Sequence, residues 1–594
     1  MCNNTSFIRF FCYNKNCWSC VKIIEDRLLK VEEILIMNRK TEIVSELSHK
    51  GIPGAIELSQ NESIAAWQRL QYGMFIHWGL YSEIGGEWDG KPVTKGYSEQ
   101  IQMWSNISTE DYLEVAKNFS ADKFDPAEIC QLAKDAGMEY IVITTKHHDG
   151  FAMFDTETTD YSIVHRTPYG KDPIKLLADE CRRQGLKFGV YFSLIDWHEG
   201  HDFDYNNNNP IPASMEPMIE GQLRELMTNY GPIAEVWFDM SNPTEEQSIK
   251  FAEVVHKHQP EAIVSGRVWN NRGDFRTLAD NQIPSSTLDG AWQTPASIYR
   301  ATWGYRNWQD RSDFSGKVRD LVTGLTSVRA RGGNYLLNIG PHGDGSLVDF
   351  ESDVLRAMGE WLERHPGAIL GASGTQFGGQ SWGEVTVNDK KLFLHILDWP
   401  VAKELTLPGL VTDVLKVVED GAANELDWRM DGNNLVISLP ESPLDAVLPV
   451  IRVELFGELR LIPERTIDAH ENNTWTIDAE AIYFGRSYAD EGNYNSLIET
   501  TVRQTAYIAT KEDGQVLLSV QGEVSNQDTL YKVEIGAQSQ IVTGRQLIET
   551  EVGPITVPAN EIVSLTITLA EPKHENEDIG LTINTAVVKL EPMK

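Results

Sequence analysis

Between residues 58 and 365 the sequence alternates short apolar runs with amphipathic stretches, and this alternation leaves few folds open. The apolar runs are YGMFIHW (72–78), EYIVITT (139–145), LKFGVYFSL (186–194), IAEVWF (233–238), AIVSG (262–266) and NYLLNI (334–339). Between them lie stretches such as PAEICQLAKDAG (126–137) and DPIKLLADECRRQG (172–185), each closing on a glycine suited to a helix C-terminus. Strand, helix, strand repeated over about 300 residues predicts a parallel α/β fold. The length suits a (β/α)8-like, TIM-type barrel.

After HPGAILG (365–371) the pattern changes to alternating segments such as KKLFLHIL (390–397), NLVISL (434–439) and VIRVELFG (450–457), which read as antiparallel strands. The expected organisation is an N-terminal extension (1–57), a catalytic barrel (58–370), a β-sandwich (371–459) and a second C-terminal β-domain (460–594). Met37 opens MNRKTEIVSELS like a natural start, so residues 1–36 read as a dispensable extension. Cys17 and Cys20 form a CxxC there with no second pair or His pair at zinc-binding spacing. Beyond residue 20 the sequence holds only Cys130 and Cys181, so no disulfide framework supports the body. The net charge of −35 works against binding to nucleic acid or an anionic membrane. No apolar run of membrane-spanning length and no signal peptide is evident, and a cytoplasmic location is expected.

In a barrel the loops following the strands meet at one face and build the site. Polar residues collect where those strands should end: His77 and Trp78; Lys146, His147 and His148; Tyr191, Asp196, Trp197 and His198; Asp239; Arg267. Asp239 stands out, because a carboxylate ending a buried strand beside Trp237 and Phe238 is desolvated unless something bonds it. It could serve as nucleophile or base. Alternatively it caps a helix opening in DMSNPTEEQ. Aromatic residues including Trp78, Tyr97, Tyr191, Trp237 and Trp303 favour a pocket for a hydroxyl-rich ring with an apolar face.

The segments MFIHWGLYS, YSEQIQ, ITTKHHDGFAMFDTETTDYSI, KFGVYFSLIDW, EVWFDM and RGGNYLLNIGPHGDG occur in order. Together they resemble the α-L-fucosidases of glycoside hydrolase family 29, over roughly residues 65–370. The resemblance implies a retaining, exo-acting hydrolase of terminal α-L-fucosyl groups on oligosaccharides or glycoconjugates, needing no cofactor or metal. Asp239, matched to the WFD motif, would be the nucleophile. His77, His147, His148 and Tyr191 would hold the sugar or the nucleophile, Trp237 would pack on the ring, and Arg267 would keep the nucleophile ionised. Glu99 and Trp303 complete the expected binding set.

Three departures stand out. Gln100 follows Glu99 where the family has Trp, and Gln293 in AWQTP stands where it commonly has Glu. The loop GRVWNNRGDFRTLADNQIP (266–284) contains no Glu to act as acid/base. By spacing, Asp280 takes that role, with Asp274 and Glu99 as alternatives; either Asp could instead cap the loop. The rival readings are a carbohydrate-binding relative that has lost catalysis, and a metal-dependent hydrolase using His77, His147 and His148. Against the latter, adjacent strand residues diverge, so His147 and His148 should not both face inward unless a bulge turns one. Asn338 is expected on the pocket floor, and Asp149-Gly150 turns the chain away.

Overall fold

A computed structural model describes residues 50–591, leaving aside 285, 286, 289, 423, 444, 471, 486–502 and 571–579. Cys17, Cys20, Met37 and the rest of residues 1–49 lie outside the described residues.

Eight parallel strands form the catalytic sheet: β1 (Tyr72–Ile76), β2 (Tyr140–Lys146), β3 (Lys187–Ser193), β4 (Glu235–Asp239), β5 (Ile263–Val264), β6 (Arg276–Thr277), β7 (Trp292–Ser297) and β8 (Asn334–Ile339). Their order is β5-β4-β3-β2-β1-β8-β7-β6, so β5 and β6 are the two edges. A single parallel bridge, Ser265 to Phe275, spans that gap. Beside it Asp274 accepts from the Val264 amide at 2.7 Å and pairs with His256 at 2.9 Å. The curled sheet thus closes through a side chain where the ladder is shortest. Each apolar run is buried because a barrel strand faces packed side chains on both sides.

Among the described residues the longer helices that follow strands are α1 (Pro126–Asp135), α2 (Pro173–Gln184), α3 (Glu216–Asn229), α4 (Glu245–His258), α5 (Phe314–Ala330) and α6 (Asp349–Arg364). Local chemistry sets their ends. Asp125 and Asp172 cap α1 and α2, each with proline in the first turn, and Gly185 ends α2 at φ 83°. Among the described residues β5 is followed only by the 3-10 turn Gly266–Val268 and β6 by no helix. That stretch of about 25 residues is free to wall the barrel mouth.

Behind the barrel, a five-stranded and a three-stranded antiparallel sheet enclose an apolar core containing Trp382, Leu394 and Ile437. Two further sheets enclose another apolar cluster around Trp475, Tyr531 and Val588. Ile52–Pro53, at the end of the expected extension, pairs with Arg460–Leu461, and Ala55 bridges to Thr375. This stretch is therefore part of the sandwich assembly. No helix among the described residues is long and apolar enough to cross a membrane.

An ion network fastens the sandwich to α6. His365 bonds Asp420 at 3.0 Å and Asp445 at 3.3 Å, while Arg452 and Arg364 pair with the same two carboxylates at 2.9 Å each. Burial alone would lower the His365 pKa, but the two aspartates outweigh it and leave it raised. A raised pKa in the folded state gives stability that is fully present below the ordinary value of ~6.5 and lost as pH rises through the folded value. Replacing His365→Gln should therefore lower Tm more at mildly acidic than at alkaline pH, as calorimetry across pH would register. An equal loss at both extremes would contradict a charged His365.

Candidate active site

Residues at the C-terminal ends of the strands converge on one small pocket with a largely polar lining. His77 leaves β1 with Nδ1 2.7 Å from Asn338 Oδ1, and Asn338 Nδ2 donates to the Trp303 carbonyl at 2.7 Å. Asn338 thus stands behind His77 and is not itself among the lining residues. A bulge between Thr144 and Lys146 shifts the alternation of β2. Lys146 turns out toward the Phe192 ring and Asp196 (3.1 Å), and His147 turns in. The strand then ends, and His148 also reaches the pocket, with Nδ1 2.6 Å from Ser193 Oγ. Both histidines line the site, so the expected divergence of neighbours does not hold here. Burial pushes His77 down to about 3 and His148 down to about 4, and holds His147 well below the ordinary range. Near neutrality all three are uncharged rings that give and take hydrogen bonds. Among the described residues no three His, Cys, Asp or Glu side chains come together as a metal-ligand set.

On β4, alternate residues Glu235, Trp237 and Asp239 face the barrel interior at successive levels. At the top, Asp239 Oδ2 accepts from the Tyr191 hydroxyl at 2.7 Å and Oδ1 from Arg267 Nη1 at 2.8 Å; His148 Nε2 lies 3.9 Å from Oδ2. Asp239 is not a helix cap, because Thr244 caps α4. The next two residues, Met240 and Ser241, adopt φ of 56° and 71°, a conformation costing non-glycine residues about 1–3 kcal/mol each. Asp239 and Met240 both line the pocket.

Arg267 occupies the 3-10 turn after β5 and is 3% exposed. Its second nitrogen donates to Asp280 Oδ1 and to the Leu278 carbonyl, each at 3.1 Å, and its guanidinium lies 4.8 Å from the Trp237 ring centre. Asp280 Oδ2 accepts from Trp303 Nε1 at 3.2 Å. Burial raises the Asp280 pKa; Arg267 opposes that, and Asp239 adds to it. Glu99 is also buried, accepts the amides of Trp303 (3.1 Å) and Gly304 (2.9 Å), and is pushed by burial to about 7. Asp239, Asp280 and Glu99 line one pocket. Asp274 does not: it is committed to His256 and Val264 at the barrel seam, so its place among the acid/base alternatives is withdrawn.

Gln293 is likewise not a pocket residue. It is the second residue of β7 and is completely buried one level below, where Oε1 accepts Trp237 Nε1 at 2.9 Å. Its Nε2 donates to Tyr140 Oη at 3.0 Å and to Glu235 at 3.1 Å, and Glu235 accepts Trp67 Nε1 at 2.7 Å. A side-chain amide can accept the indole N–H through its oxygen and donate to a carboxyl through its nitrogen at once. Phe75, Tyr97, Gln100 and Met240 complete the lining. Phe75 and Met240 were not anticipated; an apolar residue inside a strand and one after a motif leave no polar signal to follow.

A family model described as alpha-L-fucosidase matches residues 45–366. Mouse tissue alpha-L-fucosidase is 28% identical over 433 residues, covering 67% of this chain and 94% of its own length. Among solved structures, the Thermotoga maritima alpha-fucosidase in complex with fucose is 28% identical with a TM-score of 0.55, covering 65% of this chain and 96% of that one. The alpha-L-fucosidase from Vibrio sp. strain EJY3 shares the fold at 24% identity and a TM-score of 0.62, over 90% of this chain and 98% of its own.

Replacing Gln293→Leu would leave the Trp237 N–H without its partner and the Glu235 carboxyl with Trp67 alone, at about 1–3 kcal/mol for the stranded N–H. The expected result is a Tm lower by several degrees in a thermal melt. A Tm at or above that of the parent would show that the network does not hold the barrel interior.

Proposed function

The chain belongs to the α-L-fucosidase family of glycoside hydrolases, and on that footing we propose that it is an exo-acting, retaining enzyme working by double displacement through a covalent fucosyl-enzyme. The observation that carries this reading is the buried guanidinium of Arg267, which bonds Asp239 at 2.8 Å on one side and Asp280 at 3.1 Å on the other. Two carboxylates flanking the scissile bond are the equipment a retaining glycosidase needs.

In the first step Asp239 attacks the anomeric carbon. The bond to the leaving oxygen breaks as Asp280 gives that oxygen its proton, and a glycosyl ester forms on Asp239. In the second step Asp280, now a carboxylate, takes a proton from water. The water oxygen bonds the anomeric carbon and frees Asp239. One cation shared by two carboxylates leaves one of them short of compensation, which favours a proton on Asp280 in the free enzyme. Esterification of Asp239 removes its charge and leaves Arg267 to Asp280 alone. The Asp280 pKa then falls just as the mechanism turns it from acid into base. The neutral His77, His147 and His148 suit sugar hydroxyls, and Trp237 offers an aromatic face to the apolar side of the ring with its methyl group. Glu99, with a pKa of about 7, supplies a hydroxyl partner able to hold a proton. The small pocket supports an exo mode, in which only a terminal fucosyl group enters. Gln293 no longer argues for lost catalysis, since it lies below the site.

Asp239→Ala should abolish release of p-nitrophenol from p-nitrophenyl α-L-fucoside, and azide should restore turnover as β-L-fucosyl azide. Persisting parental turnover would remove Asp239 from the nucleophile role. Asp280→Asn should cut kcat/KM about 10²–10⁴-fold for a fucosyl disaccharide and much less for a fucoside with an acidic leaving group. In the parent, kcat/KM should fall as pH rises through the raised Asp280 pKa, and the variant should lose that limb. If Glu99→Gln gives this pattern instead, Glu99 is the acid/base.

A further inference from the structure

With a fucosyl ring filling the pocket, the rest of a substrate has to leave through the mouth, and an aromatic pair stands on segments that adjoin pocket-lining residues. Tyr205, 61% exposed, stands on the loop between β3 and α3 and stacks on Trp104 with ring centres 4.9 Å apart and planes 22° from parallel. Lys95 Nζ lies 4.8 Å from the Trp104 ring centre and 4.7 Å from that of Tyr205. Gly96, at φ 68°, lets Trp104 lie flat, since a Cβ there would sit 2.0 Å from the indole.

Two connections place this platform at the pocket. Trp104 ends the short helix that follows Gln100, and Gln100 lines the pocket. The Tyr205 loop is fastened directly behind Asp239: the Ser241 and Asn242 amides donate to the Asn207 and Asn209 carbonyls at 3.2 and 2.8 Å. Met240, between nucleophile and anchor, lines the pocket and packs in the same apolar cluster as Trp104.

We infer that the Trp104–Tyr205 platform binds the first sugar of the aglycone, so that the enzyme is built for fucose linked to an oligosaccharide. This inference rests on the α-fucosidase reading above. The apolar face of a pyranose stacks on the free face of Tyr205, and Lys95 holds its ammonium against both rings where ring hydroxyls can accept from it. The exposed Asn206 and Asn208 flank the same loop with further donors and acceptors. An exposed tyrosine ordered by a tryptophan beneath it is pre-organised for such contact.

The test compares Tyr205→Ala, Tyr205→Phe and the parent on two substrates: α-L-fucosyl fluoride, whose leaving group has no ring, and an α-L-fucosyl disaccharide. For Tyr205→Ala the loss of kcat/KM on the disaccharide should exceed that on the fluoride by about tenfold, the size of one aromatic contact. Tyr205→Phe should retain the parent's preference. Equal losses on both substrates, or no loss on the disaccharide, would overturn the inference. A parent enzyme that turns over neither substrate would instead overturn the fucosidase reading on which it rests.

Discussion

Arg267 lies almost wholly out of solvent with a carboxylate on each side, and much of the barrel mouth is arranged to keep it there. A buried charge is costly unless it is paired and fully hydrogen-bonded. Here the guanidinium also has the Leu278 carbonyl and the face of Trp237. Its pKa stays raised: burial works to lower it, and the two aspartates together outweigh that. The arrangement makes the charge state of either carboxylate depend on the other, which is the property a nucleophile and its acid/base partner require.

The fold supplies that arrangement by leaving something out. With no helix after β5 or β6 among the described residues, Arg267 sits one turn beyond its strand, and the chain to β7 loops back to bring Asp280 within reach of it. The weak edge this leaves is held by the Ser265–Phe275 bridge and by Asp274, an acid used to close the barrel. Below, the Glu235–Gln293–Trp237 chain fixes the indole against which Arg267 lies. A change at Gln293 therefore acts on the site through the orientation of Trp237.

The sequence made the barrel legible because buried parallel strands read as apolar runs and their C-terminal ends as polar clusters. His77, Tyr191, Asp239 and Arg267 could be placed at one mouth for that reason. Four features were not legible, each for a physical reason. The bulge in β2 that turns His147 inward carries no proline or glycine to mark it. Depth inside a barrel is invisible to spacing, so nothing in AWQTP tells that Gln293, near the start of its strand, lies one level below the mouth. Asp274 and Asp280 share a loop and differ only in which way the chain turns, and that depends on a seam between β5 and β6 that a linear pattern does not encode. The pairing of Ile52–Pro53 with Arg460–Leu461 joins segments some 400 residues apart and leaves no local trace.

The shared cation makes one demand that can be measured at a single atom. The Asp280 carboxyl can be titrated by carbon NMR in the free enzyme and in the enzyme trapped as its 2-deoxy-2-fluorofucosyl ester. Esterifying Asp239 removes a negative charge and leaves Arg267 to Asp280, so the Asp280 pKa should drop on trapping. A pKa that stays put or rises would contradict the coupling through Arg267 and, with it, the assignment of Asp280 as acid and base.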